Sequence, residues 1–345
     1  MRDHRGAFIG LLTITLAATP ACFAGSGQRT GTNGASELLI PVGTRDIALG
    51  GATVAVSRGI DALFWNPAGS AGVTNDVTVY ASHMNYIADI GVDYGAVSAL
   101  FRDFGVVSLH LRTLSVGDIP VTTAEYPDGT GNTFRPQFFT AGLTYARQLT
   151  DRIAVGVTGL VIGERLGEVG ATGVGFNAGV TYANVAGLAG FDFGVVVKNI
   201  GPQMRFTGPG LSVQATSTDL GRGTMTYAIE AAGFELPSSM ELGCGYRITP
   251  GEQTSLQIAL AFENSNFADD AYRVGVEFGF RGLFFLRGGY CDSPSASDER
   301  ENIFGATFGA GVHADVGTTD VTFDYAYRAS KFFGGNHVFS AKIGF

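Results

Sequence analysis

Along most of the chain apolar side chains recur at every second position rather than every third or fourth. Tyr272, Val274, Val276, Phe278 and Phe280 alternate with Arg273, Gly275, Glu277, Gly279 and Arg281. Leu256, Ile258, Leu260 and Phe262 alternate in the same way with Gln257, Ala259, Ala261 and Glu263, and Val321, Phe323, Tyr325 and Tyr327 with Thr322, Asp324, Ala326 and Arg328. The last run sets Phe339, Ala341, Ile343 and Phe345 against Ser340, Lys342 and Gly344. Period two places successive side chains on opposite faces of a β-strand. Fourteen such runs are legible, at 76–86, 91–101, 104–114, 137–147, 152–163, 172–183, 190–199, 236–247, 254–263, 271–281, 283–290, 302–313, 319–328 and 335–345. Most are close to the roughly 9 to 11 residues that a tilted strand needs to cross a bilayer.

The connections alternate as well. Those after even-numbered runs are short, such as Arg102-Asp103 and Gly282, whereas 115–136 and 200–235, after odd-numbered runs, are long. Short turns on one side and long loops on the other predict an all-β fold: a transmembrane antiparallel β-barrel of about 14 strands, the short side facing the periplasm. A secreted propeller or β-sandwich is the alternative. Against it, the polar face is crowded with glycine and isolated charges, and Tyr86, Tyr145, Tyr182, Tyr246, Tyr290 and Tyr327 fall near strand ends, where interfacial girdles form. On this register an arginine costs far more at Val276, on the lipid face, than at Gln257 on the other.

Residues 1–24 read as a cleaved signal peptide: Arg2 and Arg5, an uncharged run from Ala7 to Ala18, Pro20, and small residues up to Ala24. An N-terminal anchor or a lipoprotein acylated at Cys22 are the weaker alternatives. Residues 25–75 differ in texture and predict a hatch or plug segment, the barrel taking 76–345. Ile60 to Phe64 suits a turn or two of helix stopped at Asn66-Pro67. The other possibility for this segment is an extra strand with a periplasmic cap.

Composition supports export to a membrane and narrows the chemistry. Glycine fills 51 of 345 positions and charged residues only 15%, which disfavours a helical bundle, while 26 Phe and 12 Tyr disfavour disorder. A net charge of −9 without a basic run excludes a phosphate footprint, so no nucleic acid is expected as a partner. His83, His110, His313 and His337 are dispersed, and no nucleophile, dinucleotide or zinc motif occurs, so no enzyme activity, metal or cofactor is expected. Arg273, Glu277, Arg281, Asp324, Arg328 and Lys342 project from the predicted lumen face, where mutual pairing is favoured over a substrate-binding role. Asp269-Asp270 and Asp298-Glu299 with Glu301 read as solvated acidic loops. Cys244, on the lipid-facing register toward the periplasmic end of its strand, and Cys291, at a loop-side strand end, are expected to remain unpaired, about 20 Å or more of bilayer height separating them.

Several segments carry a resemblance: Ile40-Pro41-Val42-Gly43-Thr44-Arg45, Trp65-Asn66-Pro67-Ala68-Gly69, Ala88-Asp89-Ile90, Gly117-Asp118, Pro127-Asp128-Gly129-Thr130-Gly131 and Asn199-Ile200-Gly201-Pro202-Gln203-Met204-Arg205-Phe206. Together they resemble the PorV/PorQ family of outer-membrane proteins, itself similar to the FadL class of long-chain fatty-acid transporters. The resemblance implies fourteen strands, an N-terminal hatch built around Trp65, Asn66, Pro67, Ala68 and Gly69, and a component of type IX protein secretion that receives exported cargo in the bacterial outer membrane. Its implied partners are outer-membrane lipid, secreted proteins or secretion-machinery subunits. A FadL-like channel for small hydrophobic compounds is the alternative function. Where the family usually has an acidic pair ahead of the hatch turn, this chain has Arg58-Gly59, which implies an altered role for that position.

Overall fold

A computed structural model of the chain describes Arg29 and residues 31–216, 224–294 and 303–345; the expected signal peptide, Asp298, Glu299 and Glu301 lie outside the described residues. The alternating runs form β1 (Val77–Asn85), β2 (Gly91–Phe101), β3 (Gly105–Ser115), β4 (Gln137–Gln148) and β5 (Ile153–Leu166). They continue with β6 (Val169–Tyr182), β7 (Phe191–Ile200), β8 (Ser239–Gly251), β9 (Thr254–Ser265) and β10 (Ala271–Phe280). The last are β11 (Phe284–Asp292), β12 (Phe304–Val316), β13 (Thr319–Ser330) and β14 (Asn336–Gly344). Each strand pairs antiparallel with its neighbours in sequence, and β1 closes on β14 in the register Val79 to Ile343, giving one closed barrel. Closure leaves no strand edge unpaired, the condition for a sheet in hydrocarbon.

The two faces of the wall follow the alternation. In β10, Val274, Val276, Phe278 and Phe280 stand exposed on the outer surface, while Gly275 and Glu277 are buried on the inner one. Tyr145, Tyr182, Tyr246, Tyr290 and Tyr327 share the outer register near strand ends. Tyr86 departs from the expected girdle: it packs inward against the plug core and beside Phe304. Both chain ends of the barrel lie on the side of the short turns. On the opposite side, one long loop carries a two-residue ladder, Ile119–Pro120 with Thr133–Phe134, and the other a hairpin of Ser212–Thr216 with Thr224–Ala228.

Ahead of β1 the chain turns inward and fills the lumen. It is made of short pieces: 3-10 turns at Ser36–Leu39, Gly59–Asp61 and Pro67–Gly72 and helical turns at Thr44–Ala48 and Ala62–Trp65. Their apolar side chains make cores shared with the wall. Ile40, Val42, Ile47, Leu63 and Trp65 pack with Tyr80, Met84, Val92 and Tyr94, and Val54 to Val56 with Val196, Ala259 and Ala261. A segment this short cannot bury a core alone, so the barrel supplies the other half.

Candidate functional site

The Trp65 to Gly69 element is the keystone of the plug. Trp65 Nε1 donates to the Val42 carbonyl at 2.9 Å, tying two passes of the segment together. Asn66, fully buried and with extended backbone, ends the helical turn and accepts from Ala68 N at 3.1 Å to start the next. Its Nδ2 donates to Val54 O at 2.9 Å and reaches the wall carbonyls of Val180 and Val195 at 3.3 and 3.4 Å. Pro67 takes the first position of the following turn, where its missing N–H costs nothing. The wall makes room for this by having no side chains there. A Cβ on Gly179 would overlap Asn66, one on Gly156 would overlap Pro67, and one on Gly194 would press on Val54. The glycine-rich inner face is thus the mould of the plug backbone.

Ion pairs fasten plug to wall toward the turn side. Arg45 holds Glu277 with two bonds of 2.9 Å, and Glu277 also accepts from Arg287 at 2.6 Å, while Arg287 reaches Asp324 at 2.5 Å. Lys342 Nζ bonds Asp61 at 2.7 Å and Arg58 bonds Asp192 at 2.9 Å. Arg58, the residue in place of the usual acidic pair, therefore binds the plug to β7; burial lowers its pKa against the pull of Asp192. Arg281 does not join the network expected for it. It stands in the β10–β11 turn with φ 56°, exposed, and bonds Gln253 at 3.1 Å, because the strand ends one residue before it.

On the loop side a second cluster lines a cavity of about 80 Å³ between plug and wall. Lys198 bonds Glu241 at 2.9 Å, Arg273 bonds Glu241 at 3.0 Å and also Glu263, and Arg328 lies over the Phe304 ring. Lys198 also sits 4.2 Å from the Phe64 ring centroid. Nearby, Arg112 donates to Ile40 O at 2.8 Å. Glu37 of the plug faces Glu164 and Arg112; burial, reinforced by Glu164, raises its pKa to about 7. Asp46 is raised to about 7 by burial above all, Asp61 adding to it against Arg45. The cavity has room for a few waters at roughly 30 Å³ each, well short of the roughly 300 Å³ or more of an ordinary ligand pocket.

The sequence reading missed Arg45, Asp61, Lys198, Glu241 and Arg287 as members of these networks. Lys198, Glu241 and Arg287 were legible in principle from strand parity, whereas Arg45 and Asp61 lie in irregular chain that has no period to read. It also missed a cluster at the turn side: His313, Asp315 and Asp320 bring one ligand atom each within 4.8 Å of one another. Asp270 is not solvated as expected but buried, accepting from Asn264 at 2.8 Å. Cys244 and Cys291 form no disulfide with each other: they lie on opposite faces of the wall, although the register sets Cys244 in line with Tyr290 rather than toward the periplasmic end expected for it.

A family model described as type IX secretion system protein PorV matches residues 23–242. No curated protein matches the chain significantly. Among solved structures, the CymD monoaromatic hydrocarbon channel is similar at TM-score 0.57 and 13% identity, over 88% of this chain and 97% of that one. The Pseudomonas putida toluene transporter TodX gives TM-score 0.56 at 13% identity, over 88% and 98%. A Pseudomonas aeruginosa FadL homologue gives 0.52 at 13% identity, again over 88% and 98%. At such identities the likeness is one of fold.

Proposed function

The chain belongs to the PorV family of type IX secretion proteins, and from that membership we propose that this outer-membrane barrel receives exported protein cargo rather than serving as an open pore. The observation that carries the reading is the filled lumen. Three buried or half-buried ion pairs, Arg45–Glu277, Lys342–Asp61 and Arg58–Asp192, and the hydrogen bond from Arg112 to Ile40 O hold the plug against the wall. Removing one partner of a buried pair costs about 3–5 kcal/mol, so the plug is a resident part of the fold. Apolar surface is presented instead on the loop side, where Val213, Met225, Tyr227 and Ile229 of the hairpin region stand exposed together with Tyr126 and Phe332. Such surface above a membrane suits protein docking.

The barrel's likeness to CymD and TodX supports the second reading, passage of small hydrophobic compounds. Under it the plug must move to open a path. Affinity capture from native outer membranes after crosslinking separates the two. Recovery of secretion-machinery subunits or secreted cargo is expected; recovery of neither, together with uptake of toluene into vesicles carrying the barrel, overturns the secretion reading.

A further inference from the structure

One cation at the loop-side mouth lacks a counter-charge among the described residues. Arg328 places its guanidinium 3.5 Å from the Phe304 ring centroid, and its Nη1 is sealed from solvent while donating to nothing. The other charges on the same cavity are satisfied, Lys198 by Glu241 and Arg273 by Glu241 and Glu263. Among the described residues, three cations thus face two carboxylates, and Arg328 has no carboxylate partner. A buried guanidinium without a counter-ion is costly to hold, so the site is one anion short.

We propose that this cavity takes the terminal carboxylate of a peptide, with Arg328 as its partner; the inference rests on the secretion reading and names a chemical group of its cargo. A planar guanidinium donates two parallel bonds to a carboxylate. Size favours a peptide end over a fatty acid: about 80 Å³ accommodates a carboxylate and little more. An alkyl chain would find behind it only the adjoining cavity of about 20 Å³ beside Leu38, Val42, Leu63 and Phe64, too small to take it. The apolar side chain of a terminal residue would instead rest at the mouth on Leu39 and Pro41, and its backbone would meet Ser239 and Asn199. The site is reachable from outside, since Lys198, Glu241, Glu263, Arg273 and Arg328 each lie two residues from the loop-side end of their strand.

Trp65 lines the cavity and is the single tryptophan of the chain, so its emission reports occupancy. The purified full-length barrel is titrated with N-acetyl-leucine, N-acetyl-leucinamide and laurate, each variant first being checked for heat-modifiable mobility on gels. A saturable response to the acid is expected at a concentration about tenfold or more below that for the amide, as a charge-assisted bond implies. Arg328→Met should abolish that preference and Arg328→Lys keep part of it. No saturable response to the acid, equal response to acid and amide, or a preference surviving Arg328→Met overturns the proposal. Tighter, Arg328-dependent binding of laurate assigns the site to a lipid carboxylate and overturns the peptide source. Capture of secretion subunits by the wild-type barrel separates the two levels: its persistence without any acid preference sinks this site alone, and its loss sinks the secretion reading.

Discussion

A single atom decides most at the glycines of the inner wall. At Gly179 there is no space for a side chain between β6 and Asn66, so Gly179→Leu should expel the Trp65–Gly69 element while the barrel still closes. Trp65, now wholly buried, should shift its emission to the red, and trypsin should cut at Arg45 or Arg58. Val180→Leu, one position on and facing lipid, is the control; an unshifted Gly179→Leu spectrum would falsify the mould. On the outer face Val276→Arg should lower folded yield in lipid vesicles by about 2–4 kcal/mol near the midplane, with Val276→Leu neutral. Alternation alone makes Gln257→Arg mild by comparison. The structure adds a separate cost at the plug, for Gln257 is buried and accepts from Arg247 at 3.1 Å and Arg45 at 3.4 Å. A third cation there should harm plug docking, read as Trp65 exposure at intact gel mobility. Cys244 and Cys291 should yield no crosslinked peptide: they lie on opposite faces of the wall and three strands apart, about 14 Å at the usual spacing, twice the Cα separation a disulfide tolerates.

The plug is the element whose stability should respond to pH. Glu37 and Asp46 have folded pKa values of about 7 against 4.5 and 3.8 for the free groups. A carboxyl raised on folding is protonated in both states at low pH and must give up its proton inside the protein as pH rises. Its contribution is therefore fully present below about pH 4 and lost progressively as pH climbs to about 7, by at most about 3 kcal/mol for Glu37 and about 4 kcal/mol for Asp46. Trp65-monitored melting should show the plug docked more firmly at pH 5 than at pH 8. Glu37→Gln keeps the neutral form at all pH values and should flatten part of that dependence; a wild-type plug more stable at pH 8 would contradict the assignment. Arg45–Glu277 and Lys342–Asp61 hold the element on the other side.

At the scale of the molecule, closure in a hydrogen-bonded ring makes the barrel resist detergent, since every strand of the wall is paired on both sides. Unheated protein should migrate anomalously on denaturing gels and normally after boiling, and it should fractionate with the outer membrane. Recovery in the soluble periplasmic fraction would overturn the membrane assignment. The outer band of Val, Leu, Phe and Tyr side chains that looks like misplaced core in a soluble sheet is then the lipid-facing surface, and the ionic interior is the part shielded from it.

The strand number, the inside and outside faces, and the alternation of short turns with long loops were all legible in the chain, because a period of two is a local property and each strand crosses the membrane alone. The register limits were less so: Arg281 continues the pattern of β10 yet lies in the turn, since pairing with the neighbouring strand, not alternation, ends a strand. The motif Trp65 to Gly69 pointed to a stop in helical chain but not to what surrounds it. Only the tertiary structure decided that Asn66 bonds the wall through the gap left by Gly179, that Arg45 meets Glu277 232 residues away, and that Arg328 meets no carboxylate among the described residues. Those are contacts between irregular chain and a curved wall, and no periodicity encodes which residue of a plug reaches which strand.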